Sequence, residues 1–223
     1  RKISQGLKND IDNPYDSSKP KILFVEGGSQ YDIYAMRSAG IDPATGKEIF
    51  IKKNGEYTFN YDEKERVAVG NTNPILQGSL MNTLRYKGFS ISVATSYTFG
   101  SDYFNSTLKN KVENIDLNYN VDRRVFTDRW KEPGDHTRFL GIGTSSSSSQ
   151  YSERFVEKRN ELYISSIQVM YDFAPKAITR LGLRKLAIGF GLSDIAHIST
   201  VKFERGTEYP YCRGINLIFR PTF

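Results

Sequence analysis

Apolar and polar side chains alternate with a strict two-residue beat on both sides of one tight turn between Ser79 and Phe99. In the first arm Leu80, Leu84 and Tyr86 share a face, and Ser79, Thr83 and Arg85 share the other. In the second arm Phe89, Ile91, Val93, Tyr97 and Phe99 fall with Thr95 on one face, opposite Ser90, Ser92, Ala94, Ser96 and Thr98. Only Lys87 and Gly88 separate the arms. Successive strand residues point to opposite faces, so the pattern predicts a β-hairpin with one apolar and one polar face.

The beat returns three times. Tyr163, Ile167, Val169, Tyr171 and Phe173 share a face with Ser165, and Ser166, Gln168 and Asp172 share the other. Leu186, Ile188, Phe190 and Leu192 alternate with Lys185, Ala187, Gly189, Gly191 and Ser193, small side chains that leave one side of the sheet nearly bare. Ile215, Leu217, Phe219, Pro221 and Phe223 alternate with Gly214, Asn216, Arg220 and Thr222. Elsewhere the pattern is weaker. Arg1 to Pro20 reads as a linker or strand end, and Ile22 to Val25 and Gln30 to Arg37 as short strands. Asp42, Pro43, Thr45 and Gly46 form a turn cluster before Glu48 to Ile51, and a surface excursion with one small hairpin runs on to Pro74. Gly100 to Asn160 has little period, and its serine run Ser145 to Ser149 reads as a flexible tip. Asp194 to Tyr211 is a second excursion.

Composition leaves the solvent of the apolar face to be decided. Hydrophobic residues make up 38% of the 223, enough for a folded chain. A mean hydropathy of -0.50 and the lack of a long apolar run exclude a spanning helix. Neither excludes a membrane barrel, whose strands are half polar by construction. The strands are about ten to twelve residues long, which at roughly 3.3 Å per residue and a tilt near 40° spans about 25 to 30 Å, the apolar depth of a membrane. Aromatics stand at strand ends on the apolar face: Tyr86 and Phe89 beside one turn, Tyr97 and Phe99 at the other end, then Tyr171, Phe173 and Phe223. That placement fits interfacial girdles. Connections of about two, sixty, ten and eighteen residues put short turns at one rim and long loops at the other. The expected class is all-β: an antiparallel transmembrane β-barrel segment of about six or seven strands from a larger barrel, with long extracellular loops. An open sheet leaves unpaired edges in lipid, so residues 1–223 are expected to be a portion completed by other strands.

The net charge of +6 is spread among acidic residues with no basic stripe, so no nucleic acid is expected as a partner. Cys212 is the sole cysteine, which rules out an intrachain disulfide and a cysteine metal cluster. Residues 1–20 lack a charged start followed by an apolar core, which reads as a cytoplasmic chain or as a mature or partial product.

Several short motifs follow one another along the chain: Ala39-Gly40-Ile41-Asp42-Pro43 with Thr45-Gly46, Asn82-Thr83 with Tyr86-Lys87-Gly88-Phe89, and Asp128-Arg129-Trp130 with Pro133-Gly134-Asp135. Arg154-Phe155-Val156-Glu157, Glu204-Arg205-Gly206-Thr207 with Tyr209-Pro210, and Phe223 complete the set. In this order and spacing the sequence resembles the C-terminal part of the SusC/RagA-type TonB-dependent outer-membrane transporters of Bacteroidetes. It departs from that family after Asp135, where it reads His136-Thr137-Arg138-Phe139. The resemblance implies a multi-pass 22-stranded barrel in the bacterial outer membrane, with an N-terminal plug and a SusD-like surface lipoprotein as lid. It implies uptake of glycan fragments or peptides, driven by the TonB complex through an N-terminal region outside these residues. The implied partners are the remainder of the barrel and plug, the lipoprotein, the TonB complex, outer-membrane lipid and the barrel-assembly machinery. Phe223 resembles the terminal signal that this machinery reads.

Position then singles out residues. Arg85, Gln168, Asp172, Lys185 and Arg220 are expected to face the lumen, to line a path, pair with the plug or pair with one another. Phe89, Ile91, Val93, Tyr97 and Phe99 are expected to face lipid. On the long loops, Arg129 with Trp130 and Tyr209 with Tyr211 suit stacking on a ligand, or packing on neighbouring loops. No catalytic residue, metal ligand or cofactor is expected. His136 and His197 lack metal-ligand spacing. Ser193, Asp194 and His197 sit too close in sequence for a triad, and Asn105-Ser106-Thr107 reads as plain loop. One other function stays open, a soluble β-sandwich module binding surface glycans, which would bury the apolar face against a second sheet. An outer-membrane barrel hydrolase would need a His at the lumen mouth or outer rim with acidic and Ser partners, which the sequence does not offer.

Overall fold

A computed structural model describes residues 25–115, 118, 121–143, 151–179, 182–202 and 212–223. The expected linker Arg1 to Pro20, most of Ile22 to Val25, the serine run, Glu204 to Thr207, Tyr209 and Tyr211 lie outside the described residues. The chain divides into two units, one of residues 1–73 with 101–158, the other of residues 74–100 with 159–223.

The first unit contains two small sheets. Strand β1 (Asp32–Ala35), expected from the alternation after Gln30, precedes a three-stranded meander of β2 (Arg37–Ile41), β3 (Glu48–Ile51) and β4 (Tyr57–Thr58). Strand β5 (Val67–Asn71) returns to pair antiparallel with β1. Asp42 organises the turn between β2 and β3: its carboxylate accepts from the Ala44 N–H and the Thr45 hydroxyl, and its carbonyl accepts from the Gly46 N–H. The hydrophobic core of this unit gathers Leu108 and Val112 from the π-helical turn Leu108–Glu113, Val125 from helix α1 (Arg124–Thr127), and Phe139 and Phe155. The sequence reads this stretch as nearly aperiodic, yet it builds a core. Each short piece contributes only one or two inward side chains, too few for a period to show.

The second unit is one five-stranded sheet, in the order β10-β9-β8-β7-β6. Its strands are β6 (Leu76–Tyr86), β7 (Phe89–Phe104), β8 (Val156–Asp172), β9 (Lys185–Ser199) and β10 (Gly214–Thr222), and helix α2 (Pro175–Ile178) lies in the β8–β9 connection. The first hairpin closes as the beat requires. Tyr86 pairs with Phe89, and Lys87 and Gly88 have φ of 44° and 88°, the two positive values of a type I′ turn. A Cβ on Gly88 would stand 2.9 Å from the Asp172 carbonyl oxygen, so the turn needs glycine for space as well as for φ.

Strands β7, β8 and β9 run beyond their alternating stretches, because their extensions carry polar residues on both faces and pair without an apolar beat. In β9 an extra residue interrupts the pairing opposite Ile164 and Ser166, with Asp194 at φ 57°. This bulge reverses the parity of everything after it. Leu192 pairs with Ile167 on the apolar face, and His197, five residues on, pairs with Tyr163 on that same face.

Most of that apolar face is uncovered: Leu84 is 70% exposed, Leu217 83% and Phe219 61%, while Leu186 is buried. Among the described residues no second sheet packs on it and no sandwich is formed. Among the described residues β6 and β10 have one neighbour each, and the barrel is not closed.

Candidate functional site

Two regions carry functional geometry, and each is built by its own unit. The first is the long sheet. Residues 76–84, 89–101, 162–171, 186–193 and 214–219 contain no Asp, Glu, Lys, Arg or His. The charge-free band therefore crosses all five strands on both faces, over about 15 Å on β10 and about 20 Å or more on the other four once strand tilt is allowed for. A face that met bulk water would not need to be free of charge along with its apolar opposite. On β7 and β9 the polar face carries small groups, Ser90, Ser92, Ala94, Ser96 and Thr98 on the one and Ala187, Gly189 and Gly191 on the other. Gly189 is crowded by neighbours on that face, since a Cβ there would meet Met170 Cγ at 2.8 Å and Ile218 Cβ at 3.4 Å.

All five positions expected to face a lumen lie on this polar face. Gln168 is mid-band opposite Gly191, and Arg85 is opposite Ser90. Ala187 pairs with Asp172 on one side and Arg220 on the other, and Lys185 pairs with Thr222. Phe89, Ile91, Val93, Tyr97 and Phe99 lie together on the apolar face. The Tyr97 ring covers Gly78 of β6, where a Cβ would come within 2.5 Å of its hydroxyl oxygen. Rings gather at both ends of that face, Phe89–Tyr171 at 4.5 Å and Tyr171–Phe173 at 4.9 Å near the short turn, and Tyr97–Phe99 at 6.0 Å near the other end. Beyond the band Glu161 binds Arg159 and His197, each at 2.7 Å. The bulge and the contact with Glu161 keep His197 from the neighbouring Ser193, whose hydroxyl donates to the Gly214 carbonyl.

The second region is a cleft of about 290 Å³ in the first unit, lined by Val125, Phe126, Arg129, Trp130, Lys131 and Ile142. Trp130 is half-buried at its edge. Its indole N–H donates to the Pro43 carbonyl, the acceptor also used by the Gly134 N–H. Its ring lies over Gly46, where a Cβ would come within 2.4 Å of it. The motifs around Asp42 and Asp128 thus interlock. Arg129 is buried and donates to the carbonyls of Leu140, Val112, Glu113 and Gly141. That use fits loop packing better than ligand contact, since four of its five donors are spent. Burial lowers its pKa from the ordinary arginine value, with the charge of Glu113 opposing.

Sequence reasoning missed the centre of this unit. Arg154 is nine-tenths buried and bridges Glu48 at 2.6 Å and Glu113 at 2.8 Å, while the Ser152 hydroxyl donates to Glu48. Burial disfavours the Arg154 charge, but hydrogen bonds and charge from Glu48 and Glu113 outweigh it and raise its pKa above the ordinary value. Arg138 and Asn105 both donate to Glu157. Arg154 and Glu157 stood in one of the motifs that carry the resemblance, which was a signal; Glu48 and Glu113 had none.

No family model matches the chain. Over 81% of its length it is 25% identical to a TonB-dependent receptor of Formosa agariphila, of which it covers 18%. Among solved structures, the RagAB peptide transporter matches with a TM-score of 0.62 at 16% identity, over 76% of this chain and 19% of that one. The RagAB peptide importer in its open-open state matches with a TM-score of 0.62 at 17% identity, over 77% and 19%. The structural likeness shows a shared fold. Sequence and fold matches together bear out the resemblance to TonB-dependent transporters that the motifs carry. The chain spans less than a fifth of the length of these relatives.

Proposed function

We propose that residues 1–223 form the C-terminal portion of an outer-membrane active transporter, with the plug and the N-terminal barrel strands elsewhere in the protein. One observation carries the reading: a five-stranded sheet whose apolar face is largely uncovered, crossed on both faces by a band without charge and edged by aromatics at both ends. No described helix is long and apolar enough to cross a membrane, and strands do the crossing. In this reading Phe89, Ile91, Val93, Tyr97 and Phe99 meet lipid. Arg85, Gln168, Asp172, Lys185 and Arg220 meet the lumen or plug, and Trp130 offers its cleft to cargo. Cargo is imported with TonB-derived energy, under a SusD-like surface lipoprotein. Peptides are favoured over glycan fragments because the matched solved structures are described as peptide transporters. The transporter is no enzyme in this reading, and Phe223 serves barrel assembly.

The wall is tested by single-cysteine variants I91C and S92C of the full-length protein in a C212S background, each carrying a fluorophore. Brominated phospholipid should quench the label at 91 and spare that at 92; equal quenching overturns the membrane reading. Transport is tested by uptake of labelled peptide and labelled oligosaccharide in cells with and without the full-length gene. Uptake that ignores gene deletion, or persists after a protonophore, sinks the TonB-driven reading.

A further inference from the structure

At the short-turn end of the long sheet the described residues carry six basic side chains, Arg85, Lys87, Lys176, Arg184, Lys185 and Arg220, against a single carboxylate, Asp172. They are distributed from the β6–β7 turn, through the β8–β9 connection, to the end of β10. Five strands at about 4.8 Å spacing make that an arc of roughly 20 Å. None of the six pairs with a described carboxylate. The band above them holds no acid to neutralise them.

The six divide by face. Arg85, Lys185 and Arg220 lie on the polar face with Asp172. Lys87 occupies the turn, its ammonium 5.2 Å from the ring centre of Tyr86, which belongs to the apolar face. Arg184 continues the ladder through its N–H to the Thr222 carbonyl, and so falls in the beat of Leu186 and Ile188. Lys176 is exposed on α2. At the same level the apolar face carries Tyr86, Phe89, Tyr171 and Phe173, rings of the kind that mark where hydrocarbon gives way to headgroups. Long cationic side chains at that level extend their charge to the headgroup plane.

We propose that Lys87, Lys176 and Arg184 form a binding collar for the phosphate headgroups of anionic phospholipids in the leaflet at the short-turn rim. The inference rests on the membrane reading above. Charge complementarity selects the ligand: a zwitterionic headgroup brings no net charge to unpaired cations, whereas an anionic one does. The place of Lys87 and Arg184 beside the apolar face selects lipid over an acidic plug surface, which would engage Arg85, Lys185 and Arg220 instead.

The test uses the full-length protein in nanodiscs of phosphatidylethanolamine and phosphatidylglycerol, with retained lipid counted by native mass spectrometry. The unaltered protein should retain phosphatidylglycerol above its bulk share, and K87Q/K176Q/R184Q should lose that enrichment, by about fivefold for each cation removed. R85Q/K185Q/R220Q should keep it. Absence of enrichment in the unaltered protein, or loss only in the second triple variant, overturns the collar. Quenching of the label in I91C by brominated lipid, measured in each variant, separates the failures. If contact at position 91 is absent, the membrane reading falls and the collar with it; if contact is intact without enrichment, the collar alone falls.

Discussion

Arg154 illustrates how much one side chain holds in the first unit. It sits between two carboxylates that are themselves buried, with side-chain exposures of 5% for Glu48 and 1% for Glu113. Replacing the pair by apolar groups is often tolerated, but removing one partner leaves uncompensated charge in the interior. R154M should therefore destabilise this unit by about 3–5 kcal/mol, read as faster hydrogen exchange across residues 105–113; unchanged exchange would mean the bridge is idle. Gly46 acts through space instead of charge. It has φ +68°, and the Trp130 ring occupies the place of its missing Cβ. G46A should push the indole off its seat and shift the fluorine resonance of a fluorotryptophan placed at position 130 of the full-length protein. An unmoved spectrum would detach the Asp42 turn from the cleft.

Among the elements, the β6–β7 hairpin is the one whose turn chemistry can be tuned in both directions. Lys87 is a non-glycine residue at positive φ, where asparagine is better suited, so K87N should stabilise by a few tenths to about 1 kcal/mol. G88A should cost about 1–2 kcal/mol, from its φ of 88° and the contact with Asp172. Both are read from the urea midpoint of the full-length barrel in detergent, and equal midpoints would show that the turn does not limit stability. The bulge in β9 works at the same scale. Without its extra residue His197 would move to the polar face and Glu161 would lose it.

For the whole molecule, edge pairing decides what this chain can do alone. Strands β6 and β10 each present an unpaired edge among the described residues, a state that lipid does not tolerate. The 223-residue chain by itself should give no heat-resistant monomer on a semi-native gel, and co-refolding with the remaining strands should restore one. A heat-resistant band from this chain alone would overturn the proposal that it is a portion of a larger barrel.

The amino-acid sequence by itself determined the two faces of β6 to β10 and the tight Lys87-Gly88 turn. A two-residue alternation between apolar and polar neighbours is a local property, readable over eight or ten positions. Only the tertiary structure decided what Gly100 to Asn160 builds, since its order comes from pairs far apart in the chain: Glu48 with Arg154, Pro43 with Trp130. It also decided the face of His197, because one bulged residue reverses an alternation without altering any residue type. The charge-free polar face stands between these cases. Its residues were in plain view, but only the pairing register lined up the five segments across one sheet and made a single band of them.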